Sequence, residues 1–451
     1  MVEQMKPSGI DWIGDIPQSW KLKRIKYLST LKGRIGWQGL TADEYVDEGP
    51  FLITGTDFID GTINWDTCVH ITQERWAEAP EIHIKNGDLL ITKDGTVGKV
   101  AIVSNLEGKA SLNSGVLLIR TFEGFDKRFL YWVLLSDEFW VWFKLKNAGN
   151  STIIHLYQND FAEFCYTFPN VIEQKAIADF LDKQCGKIDS IINDLEKQIE
   201  TLQKYKKSLI LETVTKGLNK NVPMKPSGID WIGDIPAHWD IKRLKYLLEQ
   251  SDENMKVGPF GSALSGGDIV NEGKWVYNQR VVLDDNFNET DSFITEEKFQ
   301  EMKGFVVKGG DLLITTRGTI GKVAIVPDNP QEGILHPCII KFRVNKELIL
   351  PELVKLIFNE SDIVKDQFVL MSNATTIEVI YSYSLKEIIL PVIPMDEQKA
   401  VFEFLSKQCS TIDSILKDKQ EQSEKIKQHK KSLIYEYVTG KKRVKEATNG
   451  N

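Results

Sequence analysis

Cysteine is scarce in this chain, with five in 451 residues. The number is odd and no pair has CxxC spacing, which argues against a disulfide framework and against a structural zinc site. No apolar run approaches the ~18 residues of a membrane span. The N-terminus, MVEQMKPSGI, has no apolar signal core, so a cytoplasmic protein with no membrane partner is expected. A surplus of positive charge is also missing: 56 Lys and Arg face 64 Asp and Glu, a net charge of −8. That does not exclude nucleic acid, because phosphate binding follows the local clustering of cations. An acidic DNA-binding subunit can also lean on a basic partner for backbone contacts. The remainder is ordinary globular composition, 42% hydrophobic and 27% charged, with length for two to four domains.

What the chain does have is a repeat. MKPSGIDWIGDIP runs from Met5 to Pro17 and again from Met224 to Pro236, and residues 5–28 match 224–247 at 19 of 24 positions. A second block, GDLLITKDGTVGKVAIV at 87–103, pairs with GDLLITTRGTIGKVAIV at 310–326 and differs at three of 17 positions. A third, EQKAIADFLDKQC at 173–185, pairs with EQKAVFEFLSKQC at 397–409. The offset grows only from 219 to 224 residues, so this is one whole module present twice. Between the blocks the copies diverge. Residues 29–86 share little with 248–309 beyond a Gly-rich loop and YVDEG against IVNEG. Residues 104–171 and 327–395 diverge as well. One scaffold therefore carries two different surfaces.

The globular parts read as mixed α/β. Gly87–Val103 is strand, glycine-bearing turn, strand: a hairpin with a longer loop. The aromatic stretch Phe129–Leu145 reads as a buried helix, with Leu353–Leu370 as its counterpart. The third block opens a long helix over residues 173–215, roughly 65 Å at 1.5 Å per residue. Its apolar residues step as Ile188, Ile191, Leu195, Leu202, Tyr205 and Leu209, a heptad stripe. The second copy keeps Ile412, Ile415, Ile426 and Leu433. The economical arrangement is an intramolecular antiparallel pair, the first helix ending before Gly217 and Pro223. Cys185 and Cys409, in matching KQC tripeptides, read as buried thiols on these helices.

Several motifs carry possible chemistry. GTVGK and GTIGK lack the following Ser or Thr of a phosphate loop, and Lys93 stands where its first Gly belongs. They read as hairpin turns. Two of the three differences in this block are adjacent at the tip: Lys93-Asp94 in one copy, Thr316-Arg317 in the other. A fixed hairpin with exchanged polar residues suits a reader of two different base sequences. The DNA-contact candidates at the tips are Lys93, Asp94, Thr96 and Lys99, and Thr316, Arg317, Thr319 and Lys322. The loops RIGWQGLT and KVGPFGSAL add Arg34, Gln38, Lys256 and Ser262. The pairs Ser151-Thr152 and Thr375-Thr376, which read first as turn or cap hydroxyls, complete the set. Glu173-Gln-Lys175 and Glu397-Gln-Lys399 supply only the ExK part of a nuclease pattern, and a Glu at a helix start is expected from the dipole. No histidine recurs at a matching place: His155 falls opposite Val379, and His336 opposite Asn113. A duplicated enzyme would repeat its catalytic groups. No catalytic or metal residue is assigned.

In combination, GIDWIGDIPxxW before each globular part, GDLLIT…GTxGKVAIV, EQKAI..FLDKQ…KID, the closing TVTKG and YVTGK, and GPFGSAL at 258–264 resemble the specificity subunits of type I restriction-modification systems. The resemblance covers nearly the whole chain. It implies two target recognition domains joined by two long antiparallel coiled-coil helices, an internal pseudo-twofold repeat. The implied bounds are 1–165 for the first domain, 166–217 for the first spacer helix, and 218–390 for linker, repeated segment and second domain. The second spacer helix then takes 391–445, and 446–451 is a tail. Each domain would read one half of a bipartite, asymmetric site on double-stranded DNA, and the helices would set the gap. Two modification methyltransferase subunits would dock on the helices and repeated segments, and restriction motor-nuclease subunits would join them. The subunit itself would be non-catalytic and carry no cofactor. S-adenosylmethionine, ATP and Mg²⁺ would bind the partners. A fused DNA nuclease with its own metal site and a coiled-coil scaffold with no DNA role are the competing readings.

Overall fold

The computed structural model describes residues 4–34, 40–148, 155–230, 232–260, 263–372 and 379–444. The chain forms two compact units, one of Met1–Glu196 with Glu421–Asn451, the other of Lys197–Gln420. Each unit therefore holds one globular part, the start of the long helix that follows it in sequence, and the end of the other.

In the first unit the hairpin Leu89–Thr92 and Val100–Ile102 sits in a four-stranded antiparallel sheet, continued by Val116–Thr121 and then Ser29–Gly33. Side chains alternate across a strand, and both faces here are covered. Leu89, Ile91, Leu117 and Ile119 enter one core with the helices, while Leu90, Ala101, Val116 and Leu118 enter a second. That is why GDLLIT reads as an unbroken apolar run. The second unit repeats the order with Met255–Val257, Ile339–Phe342, Leu312–Thr315 and Val323–Ile325. Leu312 and Ile314 again face one core and Leu313 the other.

The divergent segments keep the same topology. Ala110–Leu112 pairs in parallel with residues 51–53, and Gly333–Leu335 in parallel with residues 275–277. Gly49 and Gly273, from YVDEG and IVNEG, have φ of 149° and 142°. A Cβ on either would stand 2.3 Å from a carbonyl oxygen, of Ile71 or Ile294. Only glycine fits both the backbone and the space.

The aromatic stretch differs from the sequence expectation. It forms two helices, Lys127–Leu135 and Asp137–Lys146, broken at Ser136, which is extended and donates its hydroxyl to the Val133 carbonyl. The second copy breaks likewise between Pro351–Glu360 and Ile363–Ser372, where Ser361 donates to the Ile357 carbonyl. A serine bonded back to the preceding turn competes with the helix ladder.

The long helices are Val171–Lys216 and Met395–Val438. Within the first unit Lys430 lies 2.6 Å from Asp189, and Lys427 3.1 Å from Glu196. Within the second unit Lys206 lies 2.8 Å from Asp413, and Lys419 donates to Gln198 at 2.6 Å. Each pair joins the early part of one helix to the late part of the other, so the two run antiparallel in both units. The seam is shifted from the expected stripe. Ile192 and Lys206 are buried, whereas Ile191 and Tyr205 are exposed. A seam of alternating three- and four-residue steps through Cys185, Ile188, Ile192, Leu195 and Leu202 lands next on the lysine. Burial works to lower the pKa of its ammonium, but the hydrogen bonds to Asp413 and Glu360 outweigh that and hold it above its ordinary value. Cys185 and Cys409 are buried. Among the described residues, no helix is long and apolar enough to cross a membrane.

Candidate nucleic-acid interface

The hairpin tip is built by its threonine. Thr92 Oγ1 donates to the Thr96 carbonyl and accepts from the Lys99 amide, closing the loop across seven residues. Thr315 accepts from the Lys322 amide in the same way. Gly98 and Gly321 follow at φ of 84° and 79°. The base of the hairpin is fixed by a buried acid. Asp88 caps the Lys85 amide and takes two hydrogen bonds from Arg120, while Asp311 caps the Lys308 amide and takes one from Arg343, whose other donor goes to the Gly309 carbonyl. The tip is therefore a rigid presentation of residues 93–99 and 316–322.

Three further segments meet each tip at the same end of the sheet. Lys93 donates its amide to the Gly115 carbonyl, and Thr316 to that of Cys338, in matching turns. The chain returning from the second variable stretch pairs with the tip. Leu156 donates to the Lys93 carbonyl and Ile380 to the Thr316 carbonyl, both at 2.9 Å. Gly55 in one unit and Gln279 in the other close the remaining side, through Lys99 Nζ on the Gly55 carbonyl and Gln279 Nε2 on the Arg317 and Thr319 carbonyls.

On this common frame the exposed chemistry differs. In the first unit Asp94 Oδ1 lies 2.5 Å from His155 Nδ1, with Tyr157 exposed beside them. Together with Lys93 they line one shallow depression. In the second unit Arg317 is exposed and bridges to Val379, and Tyr381 and Tyr383 stack at 5.3 Å, both exposed. His155, Tyr157, Tyr381 and Tyr383 join the candidates by position, though no motif marks them in the sequence. The available signal was their place in the divergent stretches, directly after Ser151-Thr152 and Thr375-Thr376.

Of the sequence candidates, Lys93, Asp94, Thr96 and Lys99 and their counterparts Arg317, Thr319 and Lys322 sit at the tips. Lys322 is half-buried and donates to the Asn359 carbonyl. Lys256 is exposed, with its ammonium 5.1 Å from the Phe305 ring centre. Two candidates are corrected. Arg34 is 3% exposed, its guanidinium donating to the Leu112 carbonyl and Ser111 Oγ, so it braces the sheet end from inside. Thr316 is buried and its hydroxyl is given to the Cys338 carbonyl. Gln38, Ser151, Thr152, Ser262, Thr375 and Thr376 lie outside the described residues.

The ExK motifs have a structural use. Glu173 is buried, accepts from the Trp20 indole at 3.3 Å and pairs with Arg443. Glu397 accepts from the Trp239 indole at 3.0 Å and pairs with His238. Both join the DIPxxW segment to the start of a long helix. Among the described residues, no group of three or more His, Cys, Asp and Glu is placed to hold a metal ion.

Comparison with known proteins accords with this geometry. Residues 41–201 and 253–428 match the family model of the type I restriction modification DNA specificity domain. The chain belongs to that family and carries the domain twice. It is 27% identical over 443 residues to the type I restriction enzyme MjaVIII specificity subunit of Methanocaldococcus jannaschii, spanning 95% of this chain and 94% of that one. It is 24% identical over 341 residues to the EcoBI specificity subunit of Escherichia coli, 73% of this chain and 68% of that one. Its fold matches a solved chain described under complex assembly and conformational transition of the type I R-M system. There the TM-score is 0.67 at 16% identity, covering 94% of this chain and 98% of the other.

Proposed function

We propose that this chain is the DNA sequence-specificity subunit of a type I restriction-modification complex, and that each unit reads one half of a bipartite, asymmetric site. The observation that carries this is the pair of tips: one frame, two chemistries. Lys93 and Asp94 with His155 offer a donor and an acceptor, and Arg317 offers the bidentate fork that suits guanine. Identical units would suit a palindrome, as symmetric dimers do. The bases are read in this proposal by Lys93, Asp94, Thr96, Lys99, Arg317, Thr319 and Lys322, with Lys256 on the flank.

The chain itself is non-catalytic in this reading. Two methyltransferase subunits supply adenine methylation with S-adenosylmethionine, and motor-nuclease subunits supply ATP- and Mg²⁺-dependent restriction. The long helices act as coiled-coil spacers over 166–217 and 391–445. They separate recognition domains bounded at 1–165 and 218–390 and set the number of base pairs between half-sites.

The test is to sequence methylated sites in cells carrying the intact system and an Arg317→Ala variant. Arg317→Ala should relax one guanine position in one half-site, at a cost of about 1–3 kcal/mol, and leave the other half unchanged. Equal loss over both halves, or no change in either, refutes base reading by this tip.

A further inference from the structure

Phe260, in the loop KVGPFGSAL, is 85% exposed, more than any other large apolar side chain among the described residues. Its neighbours are not. Gly258 and Pro259 are buried, and Leu264 enters a core with Val276, Phe299 and Ile334. Phe is among the residues most often found inside a protein. Here the chain buries both flanks of the turn and holds the ring out.

The turn is rigid. Gly258 donates its amide to the Ile339 carbonyl at 2.9 Å, and a Cβ on Gly258 would stand 2.1 Å from the His336 carbonyl oxygen, so backbone lies directly on backbone. Pro259 has its φ fixed by its own ring. The Phe260 carbonyl accepts from the Ala263 amide at 2.8 Å. The side chain therefore projects from a support pinned on both sides, and only its own rotamer is left to order on contact.

That support is also the tip's. The Cys338 carbonyl, in the same turn as His336 and Ile339, receives both the amide and the hydroxyl of Thr316, so Phe260 stands at the tip end of the sheet. Met255–Val257, which leads into the loop, is separated from the hairpin strand Leu312–Thr315 by Ile339–Phe342 alone. Two strand spacings are roughly 10 Å. The major groove is about 12 Å wide, so a guanine read at its middle lies about 6 Å from its edge. A step of roughly 10 Å from Arg317 therefore passes the phosphate backbone and reaches the adjacent minor groove.

A ring this exposed has both faces open. Contact with a groove edge, such as a thymine methyl, covers one face, whereas the space between two base pairs covers both. We propose that Phe260 is a wedge that enters a base step beside the second unit's half-site, unstacking it and kinking the duplex. This rests on the proposed function and adds a deformation to it. The second unit then selects sequence by how easily that step opens, as well as by the bases its tip touches.

The experiment uses the full-length chain assembled with its methyltransferase subunits on duplexes carrying the recognised site. The second unit's half is the one whose guanine Arg317→Ala relaxes. Permanganate attacks thymines whose faces are unstacked, so thymines are placed in turn, on either strand, at each position the site leaves free. Thymines opposite adenines that the methyltransferase flips out react in every variant. Wild type should show one further reactive step beside the second half. Phe260→Ala should lose that reactivity and bind about tenfold more weakly, and Phe260→Trp should keep both. Reactivity around the first half should be the same in all three. A wild-type complex with no reactivity beyond the flipped positions, or reactivity that survives Phe260→Ala, overturns the wedge and leaves the proposed function standing. Fewer methyltransferase subunits on Phe260→Ala in native mass spectrometry overturn it in favour of a protein contact. A lower melting temperature for Phe260→Ala overturns it in favour of a packing role. A wild-type complex that binds no site overturns the proposed function itself.

Discussion

Gln174 and Gln398 are almost wholly buried, and each is hydrogen-bonded to backbone groups through both its oxygen and its nitrogen. Gln398 accepts from the Leu350 amide and donates to the Leu348 and Ile393 carbonyls. Gln174 accepts from the Asp126 amide and donates to the Pro169 carbonyl. The EQK motif is thus a joint, its Gln tying the start of a long helix to the start of a domain helix. Gln398→Leu keeps the volume and strands those backbone groups, so it should cost roughly 3 kcal/mol. A denaturant titration measures this, and a loss below 1 kcal/mol would mean water replaces the side chain. The neighbouring acid gives a pH signature. Burial pushes the Glu173 carboxyl up to about 7, the hydrogen bond from the Trp20 indole works against it, and the Arg443 guanidinium stands beside it. A carboxyl whose folded pKa lies above its unfolded value binds protons more tightly when folded. It therefore subtracts stability as pH rises from its ordinary value near 4.5 to about 7. Arg443→Ala removes the opposing cation. Its melting temperature should fall below wild type by more at about pH 8 than at about pH 5. An equal deficit at both pH values would show that Arg443 acts by packing alone.

At the level of elements, the hairpin, the long helices and their antiparallel pairing are legible because strong local patterns write them. The double break at Ser136 and Ser361 is not, because a serine in an aromatic run carries no turn signal until its hydroxyl is seen on the preceding carbonyl. The seam differs from the apolar stripe by one residue at Ile192 and Lys206, since a buried lysine is invisible to an apolar pattern. The candidate site is legible at the tips, where the copies differ by adjacent polar residues. His155 and Tyr381 are not legible there, because they reach the tips only through the long-range pairing of their neighbours Leu156 and Ile380 with Lys93 and Thr316. Arg34 is buried although a cation in a Gly-rich loop reads as surface. The helices also carry a prediction. One heptad added to each, between Glu196 and Lys197 and between Gln420 and Glu421, preserves the seam register. It lengthens each helix by roughly 10 Å, which corresponds to roughly three base pairs. Methylated sites from cells with this variant should show a longer gap and unchanged half-site bases. An active variant with the original gap would remove the helices as the spacing element.

For the molecule as a whole, the duplication makes a statement about where the chain need not be continuous. In the second unit the first long helix ends at Lys216, and Gly217 packs against Trp239, 3.0 Å from where its Cβ would stand. Residues 218–223 then lead directly into the opening stretch. In the first unit the same junction is made without covalent continuity. Gly440, after the second long helix, packs on Pro17 and Trp20, Lys441 donates to the Asp15 carbonyl, and Arg443 pairs with Glu173. The packing around one junction therefore holds together with no peptide bond across it. A permutant that joins Val444 to Gln4 through a short Gly-Ser linker and opens between Lys220 and Pro223 exchanges which junction is covalent. Loop closure of this length changes stability by only about 1 kcal/mol, so it should be soluble and melt within a few degrees of wild type. In cells supplying the methyltransferase subunits, the same sites should be methylated, since both tips are untouched. An insoluble permutant, or one that melts in two separate steps, would show that the covalent link at 218–223 does work that the matching contacts at Gly440 cannot.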